Sequence, residues 1–564
     1  MWKNKSLRNT GRLPKLCGAD VELGNFILGG EEPGSTCAEA SRALLRQIEG
    51  LPPSSSSKGY SFGLAVPDQS GRMEIQSSGY YTCSGVQGGG ACGQFNPQDW
   101  GRKFLPSNGG CAYIDLDHLE ICLPEIISAW DWVSAYHAMM RIARDALKKA
   151  NRLRAPDRRI QVLVNNSDGR NNSYGSHLNF LITRRAWENL FLRKMHHLLY
   201  LATFQVSSII ICGQGKVGSE NGNPAVAYQL SQRADFLETL LGPQTTFNRP
   251  IVNSRDESLC GGSRNDTSEC ARLHVIFFDS TLAHVASLLK VGLMQIILSM
   301  IEAECVNPNL LLDDPVDALS CFSQDPTLKA RALTVTGQHL SALDLQSLFL
   351  EEALRFVNLG GCEGIVPRAD EILLLWQDTL QKLKNREFSE LSRRIDWILK
   401  LQIIARAMAE QPELSWTSPQ IRYLDQLYSS LDDGEGLYWA YDKNGFVERI
   451  ANEEQIEKFL NNPPDDTRAY ARAMLLRSAD PDEVDSIDWD SITLNIHGRS
   501  YWPNRRIVNL AHPLGHTRAL SEHFFQNAES LEEILDAFEA SDRGGRDHRI
   551  LRTESEGRHS VSTH

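Results

Sequence analysis

The chain contains no CxxC pair and no Cys/His spacing of the zinc-binding kind, which removes structural zinc folds and thioredoxin-like redox motifs from consideration. Its 12 cysteines are scattered through 564 residues and read as buried or incidental thiols of a reducing compartment. Cys260 and Cys270 flank a Gly/Ser/Asn loop and are expected to stay unpaired. No stretch reaches the apolar length of a membrane span, and the basic N-terminus MWKNKSLRNTGRLPK lacks the apolar core of a secretory signal. The expectation is a cytoplasmic protein with no membrane partner. Positive charge is also in short supply. A formal net charge of -13 disfavours nucleic acid as a partner, and the basic run Lys148, Lys149, Arg152, Arg154, Arg158 and Arg159 reads as a solvated helix face and loop. No internal repeat is evident.

What is present is an ordinary globular composition, 41% hydrophobic and 23% charged, long enough for a main domain with a deep core and a smaller appendage. Strand-like and helical patterns alternate. Leu16 to Leu28 reads as a strand and Ala38 to Ile48 as a helix. Residues 50 to 110 are rich in Pro, Ser and Gly and read as a long loop with at most short strands. A helix is expected over Ile126–Asn151, a strand over Ile160–Val164, turn chemistry over Asn165–Gly169 and a strand over Ser173–Ile182. A helix over Arg184–Phe204 then leads to an apolar strand, Ser207–Cys212. Gly213–Gly218 matches a dinucleotide fingerprint superficially, but no apolar helix follows it, so it reads as a basic turn. A second unit of strand, acidic turn and apolar helix spans Arg249–Leu259 and Arg272–Glu302. The stripes between Ser341 and Leu431 have helical spacing and read as core. The last stretch, Asp542–His564, is polar and charged and is expected to be disordered. Acidic strands backed by amphipathic helices imply an α/β (α+β) fold, a curved sheet with helices on its outer face and a polar concave site.

The chemistry concentrates in NGGCAYIDLDHLEICLPE, Asn108 to Glu125. Tyr113 and Asp115 are two apart on a β-prone run and share a face. With Glu120 a turn later, they make an oxygen-rich site able to hold Mg2+ and leave one carboxylate for proton transfer.

The order of GADVELG (Gly18 to Gly24), that acidic run, NNSDGRNNSYGSHLNFLI, GQGKVGSE, RPIVNSRDE, RLHVIFFDSTLAHVASLLKVG and PPDDTRAYARA before a terminal DW resembles the Pup ligase and depupylase family. The resemblance runs from about Gly18 to about Leu494. It implies a glutamine-synthetase-like catalytic domain over 1–460, with a long loop insertion at 50–107, a small C-terminal domain over 461–541 and a disordered tail over 542–564. It also implies use of ATP with Mg2+, and a small ubiquitin-like modifier (Pup-like) and its protein conjugates as partners. By that similarity Asp115 is the catalytic nucleophile or base. Asp20, Tyr113 and Glu120 are metal-binding, with Glu22 beside them, and Trp489 contacts adenine. His177 is a further candidate, as are Lys216, Arg255 and Arg468 as partners for phosphate.

Asp20 stands where the family pattern has a glutamate, a shorter carboxylate that still can bind metal, and four further positions depart from that pattern. Cys111 replaces a nucleotide-contacting arginine, Leu123 a threonine, Leu178 a glutamate and His284 a glutamate, and each is expected to weaken ATP or metal binding. Two features favour a depupylase-like hydrolase over a ligase: the long insertion, and the spacing of Asp115-Leu116-Asp117-His118-Leu119-Glu120, one residue shorter than the ligase pattern. Three alternatives stay open. One is a Pup-ligase-like carboxylate-amine ligase working through an acyl phosphate. The others are an ATP-dependent amide ligase acting on a small molecule, and a catalytically silent binding homologue.

Overall fold

The computed structural model describes residues 11–29, 36–51, 65–67, 73–75, 102–257, 259–260, 269–496 and 505–544. Strand β1 (Cys17–Ile27) forms because its apolar residues alternate with polar ones, so Ala19, Val21 and Leu23 face one way and Asp20 and Glu22 the other. Helix α1 (Cys37–Gln47) follows it. Except for its last residues and two three-residue strands, Ala65–Pro67 and Met73–Ile75, the expected insertion at 50–107 lies outside the described residues.

The acidic run is a hairpin, where a single short run was expected. After the edge strand β2 (Lys103–Phe104), β3 (Cys111–Asp115) and β4 (His118–Ile126) are joined by Leu116 and Asp117. Both turn residues have positive φ, 43° and 72°, the primed-turn geometry that matches the twist of two antiparallel strands. Helix α2 (Ala129–Asn151) comes next, its first turn capped by the Ser128 side chain, which accepts from the Asp131 N–H at 3.4 Å. Strands β5 (Ile160–Leu163) and β6 (Ser176–Thr183) precede helix α3 (Met195–Cys212), and β7 (Cys270–Val275) precedes helix α4 (His284–Glu302). The strands make a seven-stranded sheet of order β7-β6-β1-β4-β3-β2, with β5 also on β1. Every pairing is antiparallel.

One face of this sheet is apolar. Ala19, Val21, Leu23, Ala112, Ile114, Leu119, Ile121, Leu123, Leu178 and Phe180 merge with α2 and α4 into the main core. Each fully buried aliphatic side chain there contributes roughly 1.5–3 kcal/mol.

Two expectations fail in the helices. Ser207–Cys212 is the last part of α3 and not a strand, because its β-branched residues continue a helix that is buried almost all round. The serines satisfy themselves locally, with Ser207 Oγ donating to the Thr203 carbonyl at 2.8 Å. The helix expected over Arg184–Phe204 is broken by a π-helical turn at Asn189–Arg193. Contrary to the expectation of no membrane-length stretch, α3 and α4 are each long and apolar enough to cross a membrane, yet 83% and 100% of those windows are buried inside the fold. Both are core helices here.

The C-terminal region has a core of its own. Helix α5 (Ala469–Ser478) leads to a three-stranded antiparallel sheet, β8 (Val484–Ile487), β9 (Ser491–Asn495) and β10 (Arg505–Asn509). Helices α6 (Arg518–Asn527) and α7 (Leu531–Gly544) complete it, and α7 passes the start of the tail expected at 542. Residues 545–564 lie outside the described residues. Val484, Ile492, Leu494, Val508, Leu535 and Phe538 cluster with Phe104, Cys111 and Cys122 of the main sheet. This region therefore closes over one end of the polar face.

Candidate active site

Antiparallel register decides which polar side chains meet. Tyr113 pairs with Glu120, which pairs with Glu22 on the next strand. Cys111 pairs with Cys122, Cys122 with Asp20 and Asp20 with His177. One step along, Gly18 pairs with Asn179 and Asn179 with His274. Residues two apart share a face, so Tyr113, Asp115, Glu120, Glu22, Asp20, His177, His274 and Arg272 line the face opposite the core.

Among the described residues, three groupings on this face have ligand atoms within 4.8 Å of one another: Glu22 with Asp115 and Glu120, Asp20 with Glu120 and Cys122, and Asp20 with His177 and His274. Glu120 is at the centre. It is 2% exposed, and its Oε2 has no hydrogen-bond partner among the described residues. Burial, followed by the neighbouring charges of Asp115, Asp20 and Glu22, pushes its carboxyl well above the usual range. Glu22 is raised by burial too, against the Gly175 N–H that its Oε2 accepts at 2.8 Å and the nearby Arg233 and Arg249. Burial also holds the imidazoles of His177 and His274 well below their ordinary value, with Arg272 and Arg255 adding to the effect. These histidines are neutral at physiological pH, the form that ligates metals. A buried orphan carboxylate oxygen amid further carboxylates, a phenol and neutral imidazoles suits a hard divalent cation.

The polar partners of the cluster are well defined. Asn179 Nδ2 donates to Asp20 Oδ2 at 2.8 Å, and Arg272 Nε donates to Asn179 Oδ1 at 2.9 Å. Arg272 also pairs with Glu257, which contacts Arg255 Nε at 3.3 Å. Asp115 is half-buried and pairs across the turn with His118, whose ring donates to the Leu23 carbonyl at 2.9 Å and stacks on Tyr174 at 4.4 Å.

Other sequence candidates are placed differently. Lys216 is buried on Asp235 at 2.5 Å and Glu220 at 3.2 Å, and Gly213–Gly218 is a turn leading into a small hairpin, with Gly215 and Gly218 at positive φ. Arg468 is spent on Glu125 at 2.7 Å and on the carbonyls of Leu510 and Leu259, both at 2.8 Å. Trp489 is half-buried, edge-on to Phe104 at 5.3 Å, with the Arg472 guanidinium 4.7 Å over its ring. Of the four further departures, only Cys111 lies on the polar face. Leu123 and Leu178 point into the core on the opposite face, and His284 is buried against His137 at a ring separation of 3.9 Å. These three side chains therefore lie outside the cluster. Four contributors were not among the candidates: Asn179, Arg272, His274 and Cys122. The alternation in HLNF and RLHV, polar then apolar, is the signal that points to the first three.

Over residues 52–493 the sequence matches the family described as Pup-ligase protein. A depupylase from Acidothermus cellulolyticus is 31% identical over 445 residues, which cover 79% of this chain and 85% of that protein. A Pup deamidase/depupylase from Mycolicibacterium smegmatis is 31% identical over 432 residues, covering 77% and 83%. A Pup–protein ligase from Kribbella flavida is 34% identical over 405 residues, covering 70% and 85%. In fold, the chain is similar to the ligase PafA as crystallised with Pup, at a TM-score of 0.70 and 22% identity over 97% of this chain and 99% of that one. It is also similar to PafA in complex with ADP, at a TM-score of 0.63 and 25% identity, covering 78% and 90%.

Proposed function

The chain belongs to the Pup ligase family, and from that premise we propose that it is an ATP- and Mg2+-dependent hydrolase of the depupylase type, acting on the isopeptide or side-chain amide bond of a small Pup-like modifier. The observation that carries the reading is the grouping of Glu22, Asp115 and Glu120 with the unpartnered Glu120 Oε2. In it Asp20, Glu22, Tyr113 and Glu120 would hold the cation, which would offset their mutual repulsion and the charge of the nucleotide phosphates. Asp115 is the reacting group. As nucleophile, its carboxylate oxygen attacks the amide carbonyl and the C–N bond breaks; a water gives its proton to the departing amine, and the hydroxide left cleaves the resulting anhydride and restores Asp115. As base, it takes the proton of the attacking water. Its backbone is held at the end of β3 by pairing with His118, which keeps the residue on the polar face. His177 and Arg255 flank the cluster, and Trp489 offers its ring to the base of the nucleotide. In this reading residues 1–460 form the catalytic part and 461–541 a smaller part that brings Trp489 to the site.

The ligase direction uses the same atoms, with Asp115 accepting a proton from a lysine amine that attacks an acyl phosphate. The Kribbella flavida ligase, 34% identical, favours this second reading. The two separate in one assay with purified protein, Mg2+ and ATP. Release of free modifier from a Pup-lysine isopeptide conjugate is expected, with Asp115→Asn slower by on the order of 100-fold or more. Unchanged release by that variant refutes the role of Asp115. Amine-dependent ADP formation with free modifier, and no release from the conjugate, refutes the hydrolase reading.

A further inference from the structure

The acidic hairpin parts from its neighbouring strand close to Asp115. Strands β1 and β4 pair as far as Leu23 with Leu119, and beyond that point β1 runs with β5, Asn25 standing opposite Val162. Side chains take over the bonding there. Asn25 Oδ1 accepts the Leu119 N–H at 3.0 Å, next to the bond from the His118 ring to the Leu23 carbonyl. The tip itself is held from helix α1. Cys37 and Ser41, four apart and so on one face of that helix, both donate to the carbonyl of Asp117, Sγ at 3.1 Å and Oγ at 2.5 Å. Asn25 orients the pair, its Nδ2 donating to Ser41 Oγ at 2.8 Å and to the Cys37 carbonyl at 2.9 Å. All three side chains are buried. Burial pushes the Cys37 thiol up to about 12, so it keeps the proton it donates.

Leu116 and Asp117 are non-glycine residues in the left-handed region, a conformation that costs free energy and persists only where the surroundings hold it. Two donors on the Asp117 carbonyl supply that hold, one for each lone pair. Leu116 is 46% exposed and adds little packing of its own. We infer that Ser41 and Cys37, oriented by Asn25, are positioning residues for Asp115: they clamp the turn that follows it and so set where the last residue of β3 stands on the polar face. The inference rests on the reading of Asp115 as the reacting group, in either direction of the reaction.

The test compares wild type with Ser41→Ala, Cys37→Ser and the double variant Cys37→Ala/Ser41→Ala, in whichever turnover wild type performs, cleavage of a Pup-lysine conjugate or its formation. The readouts are kcat, KM, ATP affinity by calorimetry, hydrogen–deuterium exchange of the peptide over 113–120, and thermal melting as a check of folding. Ser41→Ala is expected to lower kcat about 10-fold and the double variant about 100-fold, with KM and ATP affinity within about twofold. Exchange over 113–120 rises in both. Cys37→Ser, which keeps a donor, stays within about threefold of the wild-type kcat. A double variant that folds and keeps the wild-type kcat overturns the inference, because a loosened tip is then only a structural staple. Slower turnover with unchanged exchange at the tip overturns it, and so do equal losses in kcat and ATP affinity, since the damage then reaches the whole face. Should the double variant fail to fold, Ser41→Ala decides on the same readouts. Asp115→Asn separates the two layers: if it turns over like wild type, or if wild type performs neither reaction, the role of Asp115 falls and takes the inference with it. An inactive Asp115→Asn beside unimpaired clamp variants removes the clamp alone.

Discussion

Glu120 and Glu125 stand five residues apart on one strand, and both are buried, at 2% and 8% exposure. Glu125 is gripped by Arg468 Nε at 2.7 Å and Arg472 Nη2 at 2.6 Å, and those guanidiniums pull its carboxyl down to about 2 in spite of burial. Glu120 has burial and three acidic neighbours, and its carboxyl is pushed the other way. The first is a closed structural joint. Arg472 also donates to the carbonyls of Gly109 and Trp489, both at 3.0 Å, so the joint ties the main sheet to the C-terminal region. The second is a buried carboxyl with no cationic partner among the described residues, which is how a site built for a cation differs from an ion pair built for stability.

The contrast makes opposite forecasts for like substitutions. Glu125→Gln leaves two buried guanidiniums without an anion and should destabilise the fold by about 3–5 kcal/mol, read as a lower denaturant midpoint. An unchanged midpoint would show that the joint is ornamental.

Buried bases extend the rule. His284 stacks on His137 and is held down to about 4 by burial, and His137 lies well below its ordinary value. Both are depressed relative to the unfolded chain, so their contribution is intact above about pH 6.5 and is lost as pH falls from there towards 4. For His284 the loss reaches about 3 kcal/mol at the acid end. In His284→Asn, which keeps an acceptor for the Ala451 N–H, midpoints measured across that range should fall less steeply than in wild type. Parallel pH profiles would contradict it.

The smallest effect is the most diagnostic. Because the Glu120 carboxyl is raised in the folded state, its contribution to stability is greatest below the unfolded value, near pH 4.5, and is lost as pH rises through the folded one. Glu120→Gln should therefore stabilise the Mg2+-free protein by on the order of 1 kcal/mol at pH 8. Wild type should bind Mg2+ more tightly with rising pH, by up to about tenfold per unit while one proton is displaced. The variant should lose both the slope and the Mg2+-induced rise in melting temperature. A wild type indifferent to Mg2+ at every pH would remove the cation from the account.

Much of this was legible in the order of residues. Alternation marked β1 as a strand, apolar spacing marked α1, α2 and α4 as helices, and the acidic run named the residues that register brings together. The same alternation argues that Leu178, next to His177, and Leu123, three after Glu120, face the core and belong to no site. What stayed hidden depends on distant partners. Glu125 and Arg468 are 343 residues apart, and nothing local marks that arginine as structural. Nor does Ser207–Cys212 announce itself as helical, because a short β-branched run lacks the length that separates strand from helix.

The Leu116-Asp117 turn carries a last consequence. With only two residues, both in the left-handed region, it acts as a ruler between the two strands it joins. Lengthening it by a single residue would shift every side chain after it to the other surface of the sheet unless a bulge absorbed the change. Evolution can therefore retune this pocket by swapping side chains, but an insertion or deletion at the hairpin tip would turn Glu120 away from Tyr113 in one step.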